Sequence, residues 1–439
     1  MKNKIIKLKN NGTLIYSKSN LNNSTAMEVG FRVGAYNDEK PGTAHFLEHT
    51  LFKKTKNRDN KTLENDRNTI VFLNAMTSTD YLIVNFFRSN KLINQSMEFA
   101  EDVLMNSVID DEYIETEKGV ITEELNMCLD NESRDIYEKN IKQYQSKAMF
   151  ASDIVGKSEE SIRSIEFADL VKFKDKYFTG ENFIVSVTSS LPLSKIKKLV
   201  NKYFVNNIPS KPENPKPKSN YKEARIDKEP SLQIVKNSQE KVTMMLSIKL
   251  DKTEEDLRYN TNYTFLVKYF AGEQGDMFLS LRNKGLIYRL NAEYSCYNSE
   301  STFNIIVESS KEKLKEITAV ISEYVRKVIA EKVDEKLIES YKKNFDYYND
   351  ERMPMKMRQI CHNNLIDYLY FGKIIEIDKK LREKIKNTLT SDGVQKVARE
   401  IFNKDKKMYV TVLGNTTEEF VPDFEYFKRE FLVWGESNE

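Results

Sequence analysis

The sequence predicts an α+β chain of two homologous domains, each an antiparallel-rich mixed sheet covered by helices. Three observations lead there: a proline-rich break near the middle, matching strand and helix patterns on either side, and strands without a glycine-rich phosphate loop. At 439 residues the chain is also too long for one ordinary core.

The break lies in FVNNIPSKPENPKPKSNYKEARIDKEP (204–230), which holds Pro209, Pro212, Pro215, Pro217 and Pro230 of the nine prolines. Proline lacks a backbone donor and restricts the residue before it, so such a run fits neither a helix nor a central strand. It divides the chain into an N-terminal domain at 1–207, a Pro/Lys-rich linker at 208–230 and a C-terminal domain at 231–439. The first half opens with the strand-like segments KIIKLKN, TLIYSK and AMEVGFRVGA, and the second with LQIVK and VTMMLSIKL. Long charged helical stretches follow, at 110–148 and 311–371. Each half then closes on a helix leading into a β-branched strand, KFKDKYFTGENFIVSVTSS (172–190) and VAREIFNKDKKMYVTVLGN (397–415).

Composition excludes several function classes. Sixty-nine Lys and Arg against 67 Asp and Glu create no field that would draw nucleic acid or an acidic membrane. No stretch approaches the roughly 20 apolar residues of a membrane span. MKNKIIKLKNNGTLIYSKS lacks the apolar core of a secretory signal, and the three cysteines, Cys128, Cys296 and Cys361, are odd in number and far apart. A cytoplasmic location is the expectation.

Chemistry concentrates in GTAHFLEHTLF. Of three histidines, His45 and His49 flank Glu48 in the pattern H-x-x-E-H. Helix positions i, i+3 and i+4 share a face, so the three side chains project together from a helix that Pro41, Gly42 and Thr43 begin. Two imidazoles four residues apart can reach one tetrahedral zinc. Glu48, beside a ligand, is then placed to take a proton from a metal-activated water. The spacing is the inverse of the common H-E-x-x-H.

In GAYNDEKPGTAHFLEHTLFKKTKNR and EKGVITEELNM (117–127) the chain resembles the pitrilysin or insulinase family of inverted-motif zinc peptidases. The family includes insulin-degrading enzyme and mitochondrial processing peptidase-type subunits of about this length. The resemblance implies one Zn2+ per chain, held by His45, His49 and Glu124. It makes Glu117 the carboxylate that orients a zinc-binding histidine through its other ring nitrogen. Glu123 is the rival ligand; it lies about 100° further round the helix, off the face shared by Glu117 and Glu124.

Between these elements, IVFLNAMTSTDYLIVNFF (70–87) reads as two strands around a turn. The family's N-A-x-T strand binds peptide by strand addition, which places substrate binding on Asn74, Ala75, Met76 and Thr77. MFLSLRNKGLIYRLNAEYSCY (277–297) resembles the family's Arg/Tyr element, so Arg282 and Tyr288 are expected to be catalytic, with Tyr294 as an alternative. The interval between Arg282 and Tyr288 is one residue shorter than the family's, which demands a tightened helix end. His362, next to Cys361, reads as a structural residue, and the lysine runs KKTK (53–56) and KKLREK (379–384) as solvated faces. Trp434 is expected to pack or dock the tail.

The resemblance thus implies a half-clamshell zinc endopeptidase of unfolded peptides, working as a homodimer or as a heterodimer with a related subunit. The alternative is a non-catalytic or partner-dependent subunit that binds or presents peptides.

Overall fold

The first sheet grows from strands whose sequences are short, β-branched and aromatic: β1 (Asn3–Lys7), β2 (Thr13–Lys18), β3 (Ser24–Phe31), β4 (Phe72–Thr77), β5 (Leu82–Ser89) and β6 (Phe183–Ser189). In this computed structural model the described residues are 3–20, 23–69, 72–130, 132–144, 151–211, 228–273, 275–297, 300–348, 354–374 and 379–435. The sheet order is β1-β2-β6-β3-β5-β4; β2 and β6 run parallel, and every other pair is antiparallel.

The second sheet repeats the plan with β7 (Ser231–Val235), β8 (Lys241–Leu250), β9 (Arg289–Tyr297), β10 (Glu300–Ser310) and β11 (Met408–Leu413), ordered β7-β11-β8-β10-β9. Again one pair is parallel, β7 with β11, and the rest are antiparallel. Strand for strand this matches β2-β6-β3-β5-β4, so the two sheets are copies of one topology and β1 is an addition to the first.

The interior strands β6 and β11 are buried along their whole length, because helices cover both faces. One face of the first sheet packs on helices Ile93–Met105, Asp111–Leu129 and Phe167–Tyr177 through Met27, Val29, Val84, Val185 and Val187. The other face carries Ser17, Ser186 and Ile184 and is crossed by the helix Pro354–Phe371. There Leu365 packs against Ile15, Ile83 and Ile184, Ser186 donates to the carbonyl of Cys361 at 2.7 Å, and Asn364 donates to Ser17 Oγ at 2.8 Å.

The second sheet receives a helix the same way. Glu132–Ile141 lies on β8 and β11, where Ser247 donates to Asn140 Oδ1 at 2.7 Å and Asn140 Nδ2 donates to Thr411 at 3.2 Å. The compact units are therefore Met1–Leu129 with Met149–Asn220 and Asn349–Asp378, and Asp130–Ala148 with Tyr221–Tyr348 and Lys379–Glu439. They differ from the contiguous halves 1–207 and 231–439 by a reciprocal exchange of one helix. The expected linker, 208–230, falls mostly at 212–227, outside the described residues.

The expected helical stretch 110–148 resolves into Asp111–Leu129 and Glu132–Ile141, with 145–148 outside the described residues. Trp434 ties the final segment down: its ring lies under the Arg399 guanidinium at 4.2 Å and its carbonyl accepts from Lys404 N. No helix among the described residues is long and apolar enough to cross a membrane.

Candidate metal centre

The H-x-x-E-H segment forms the helix Thr43–Thr50, anchored by Ala44, Phe46 and Leu47, all fully buried. That leaves His45, Glu48 and His49 on the opposite face, as helical spacing requires. Gly42 begins the helix with φ +97°, a left-handed conformation that costs glycine little. Asp38 caps the helix: its carboxylate accepts from Gly42 N and Ala44 N, each at 2.9 Å. Burial pushes the Asp38 carboxyl up to about 8, against the pull of those backbone N–H groups.

The second contribution comes from helix Asp111–Leu129. Ile114, Ile121 and Leu125 bury one stripe of it, and Glu117 and Glu124 lie on the side facing the histidines. His45 Nε2 stands 3.6 Å from Glu124 Oε1, and His49 Nε2 stands 3.4 Å from Glu124 Oε2. One ligand atom from each of His45, His49 and Glu124 lies within 4.8 Å of the other two. Glu123 is exposed and outside this group.

The histidines are electrostatically unequal. Burial, reinforced by the neighbouring His49, lowers His45 to about 4. Burial works against His49 as well, but hydrogen bonds to Glu117 and Glu124 outweigh it and raise His49 to about 9. His49 Nδ1 donates to Glu117 Oε2 at 3.0 Å, which leaves Nε2 directed at Glu124. Glu117 is almost fully buried, and its other oxygen meets Lys53 Nζ at 2.5 Å. Burial would raise the Glu117 carboxyl; donation from His49 and Lys53 overcomes that and holds it below the ordinary range. Lys53 is thus no solvated residue of the KKTK run. Its charge compensates a buried carboxylate, which a local reading of lysine density does not reveal.

Glu48 shares the helix with His45 and His49, with one oxygen, Oε2, accepting from the Thr77 hydroxyl at 2.6 Å. Burial raises its carboxyl, and the Thr77 bond opposes the rise. Along β4, Leu73, Ala75 and Thr77 face this side, whereas Met76 packs on the opposite face. β4 is terminal in its sheet, with β5 as its one strand partner among the described residues. A cavity of about 350 Å³ adjoins the centre, walled by Glu48, His49, Phe52, Lys53, Asn74 and Ala75, among others.

Arg282 and Tyr288 belong to the second unit. Arg282 lies in the last turn of the helix Asp276–Asn283, and its guanidinium lies 5.8 Å from the Phe278 ring centre. The helix closes on a glycine cap: Gly285 N donates to Arg282 O and Leu286 N to Leu281 O, both at 2.9 Å, with Gly285 at φ +64°. Tyr288 is 66% exposed and borders a cavity of about 490 Å³ with Lys241 and Lys311. Tyr294 packs against Tyr263 and Phe303 with its hydroxyl buried.

The family model described as "Insulinase (Peptidase family M16)" matches residues 14–156, and "Peptidase M16 inactive domain" matches 164–345. The chain belongs to the insulinase family. The model named for an inactive domain covers none of His45, Glu48, His49 and Glu124, which all lie within the first match. An uncharacterized zinc protease of Rickettsia bellii is 25% identical over 91% of this chain and 95% of its own length. The mitochondrial-processing peptidase subunit beta of Bos taurus is 29% identical over 170 residues, 38% of this chain and 34% of its own. Among solved structures, a protease from Helicobacter pylori covers 94% of this insulinase-family chain with 99% of its own, at TM-score 0.73 and 20% identity. That likeness is one of fold: two mixed sheets, each with covering helices.

Proposed function

We propose that the chain is a zinc-dependent endopeptidase that hydrolyses internal bonds of unfolded peptides. The observation that carries this reading is the convergence of His45, His49 and Glu124 beside the buried carboxylate of Glu48. Two imidazole nitrogens and one carboxylate make the donor set of a catalytic zinc site, which keeps one position open. When bound, zinc supplies Lewis acidity toward a carbonyl oxygen and lowers the pKa of water.

The chain's own residues do the rest. Glu117, itself compensated by Lys53, fixes the ring of His49. Glu48 accepts a proton and returns it to the departing amine, and burial raises its proton affinity in the direction a general base needs. Thr77 fixes the orientation of that carboxylate. A peptide adds to the open edge of β4 by backbone hydrogen bonds, bringing its bond alongside Glu48. Arg282 and Tyr288 are assigned to steadying the oxyanion, in this chain's site or in a partner's.

The test is zinc content together with cleavage of an unstructured peptide, in the wild type and in Glu48→Gln. Both proteins should hold about one zinc per chain, and the variant should lose cleavage by about 10²–10⁴-fold, the usual contribution of a general base. A metal-free protein whose peptide binding survives Glu48→Gln would overturn the enzyme reading in favour of a peptide-binding scaffold. A partner-dependent reading also has support, since one relative is by name a subunit and Arg282 and Tyr288 lie outside the unit that holds the histidines. Inactivity alone, with activity restored by a related chain, would establish it.

A further inference from the structure

The face of the first sheet turned away from the metal ligands holds a second cavity, of about 370 Å³. Ala26 and Glu28 of β3, Asn85 of β5, and Asn74 and Met76 of β4 line it, and His362 contributes from the helix Pro354–Phe371. The strand register sets Glu28 opposite Asn85 and Asn85 opposite Asn74, so these polar side chains run as a row from the sheet interior to its open edge. Glu28 is nearly buried, and its two carboxylate oxygens face a single nitrogen, Nδ1 of His362, at 3.1 and 3.2 Å. Each oxygen has capacity for further donors. The buried Oδ1 of Asn85 accepts no hydrogen bond from the described residues. The row is thus short of donors, which is costly for buried acceptors unless a ligand brings them.

A strand added to β4 presents its side chains alternately to the two sheet faces. One set points to the metal side with Ala75 and Thr77, and the other to the side of Asn74 and Met76, at the edge of this cavity.

We infer that the cavity is a specificity subsite of the same peptide-binding edge, taking every second side chain of the bound strand and selecting a long one with an apolar stem and a donor tip. This rests on the strand-addition reading above. Met76 and Ala26 accept the stem, and the tip donates to Asn85 and Glu28. Glutamine, tyrosine and lysine fit; aspartate and glutamate do not, because their charge would meet Glu28. Arg358 on the covering helix also lines the cavity, so a neutral donor suits it better than a cation.

The test uses the zinc-loaded full chain and unstructured peptides that differ at one residue, glutamine, tyrosine, lysine, alanine or glutamate, placed at successive positions around the cleaved bond. At alternate positions the donor-tipped peptides should exceed the alanine peptide in kcat/KM by about tenfold or more, since sites built to hydrogen-bond a substrate discriminate at least this strongly. Glutamate should fall below alanine. Glu28→Leu removes the buried acceptor, and Gln359→Trp, at an exposed helix position lining the cavity, fills its mouth without touching the core. In either variant the donor-to-alanine ratio should fall to about one. Cleavage of the series without discrimination, or ratios unmoved by both variants, overturns the subsite and leaves the peptidase reading standing. Failure of the zinc-loaded wild type to cleave any member overturns the peptidase reading and the subsite with it.

Discussion

Thr77 gives Glu48 its bearing. A hydroxyl 2.6 Å from a buried carboxylate oxygen is a charge-assisted bond, and such bonds contribute about 1.5–3 kcal/mol. Thr77→Val should therefore lower kcat about 10–100-fold with zinc content unchanged, and Thr77→Ser should restore most of it, as steady-state kinetics would measure. Unchanged kcat in the valine variant would remove Thr77 from the catalytic geometry. Gly42 is constrained differently: a Cβ there would lie 2.7 Å from the carbonyl oxygen of Val155, at a φ of +97°. Gly42→Ala should cost about 1–3 kcal/mol of stability, read as a drop in Tm, and should weaken zinc binding by tilting the helix that carries both histidines. Spacing alone revealed His45, Glu48 and His49, because helical geometry converts i, i+3, i+4 into proximity. Asp38 and Lys53 act through contacts across loops or between elements that no local pattern marks, and the N-A-x-T pattern singled out Thr77 for substrate binding without revealing its bond to Glu48.

At the scale of elements, two helices make the centre, and their pairing depends on buried charge. Glu117 bridges His49 and Lys53, so the carboxylate reaches the first helix at one end and the segment after it at the other. Glu117→Gln should weaken zinc binding about 10–100-fold in a chelator-competition titration, the usual effect of losing a carboxylate behind a ligand histidine. Unaltered affinity would show that His49 is oriented by something else. The Arg58 guanidinium, bonded to Asp102 at 2.6 Å and Asp66 at 2.9 Å, fixes the loop that follows. The shared face of Glu117 and Glu124 on the acidic helix and the two strands in 70–87 were legible in sequence, since each side-chain period has one interpretation. The destination of Pro354–Phe371 was not: a helical stretch in the second half gives no sign of which of two equivalent sheets it covers. Leu365→Ala puts this to the test. It should destabilise the first unit by about 2–5 kcal/mol, with hydrogen exchange rising in β2, β5 and β6, although the residue lies far along the chain in the second half. Exchange confined to the second sheet would contradict the packing.

For the whole molecule, duplication explains why the halves read alike, and the helix exchange predicts that neither is self-sufficient. The fragments 1–211 and 228–439 each lack a helix that covers one sheet face, so each leaves apolar and hydroxyl-bearing strands exposed. Expressed separately they should be aggregated or molten by circular dichroism, and mixing them should recover ordered, zinc-binding protein; independent folding of either would refute the dependence.

The same exchange sets a schedule for biosynthesis. The strand edge and the two helices that carry His45, His49 and Glu124 are made early, yet the back of their sheet stays bare until residues 354–371 leave the ribosome. Folding from the N-terminus, the default for nascent multidomain chains at about 5–20 residues per second, is here held open for roughly ten seconds or longer while the second half is translated. During that wait the nascent first sheet is the part of the chain with most need of a chaperone.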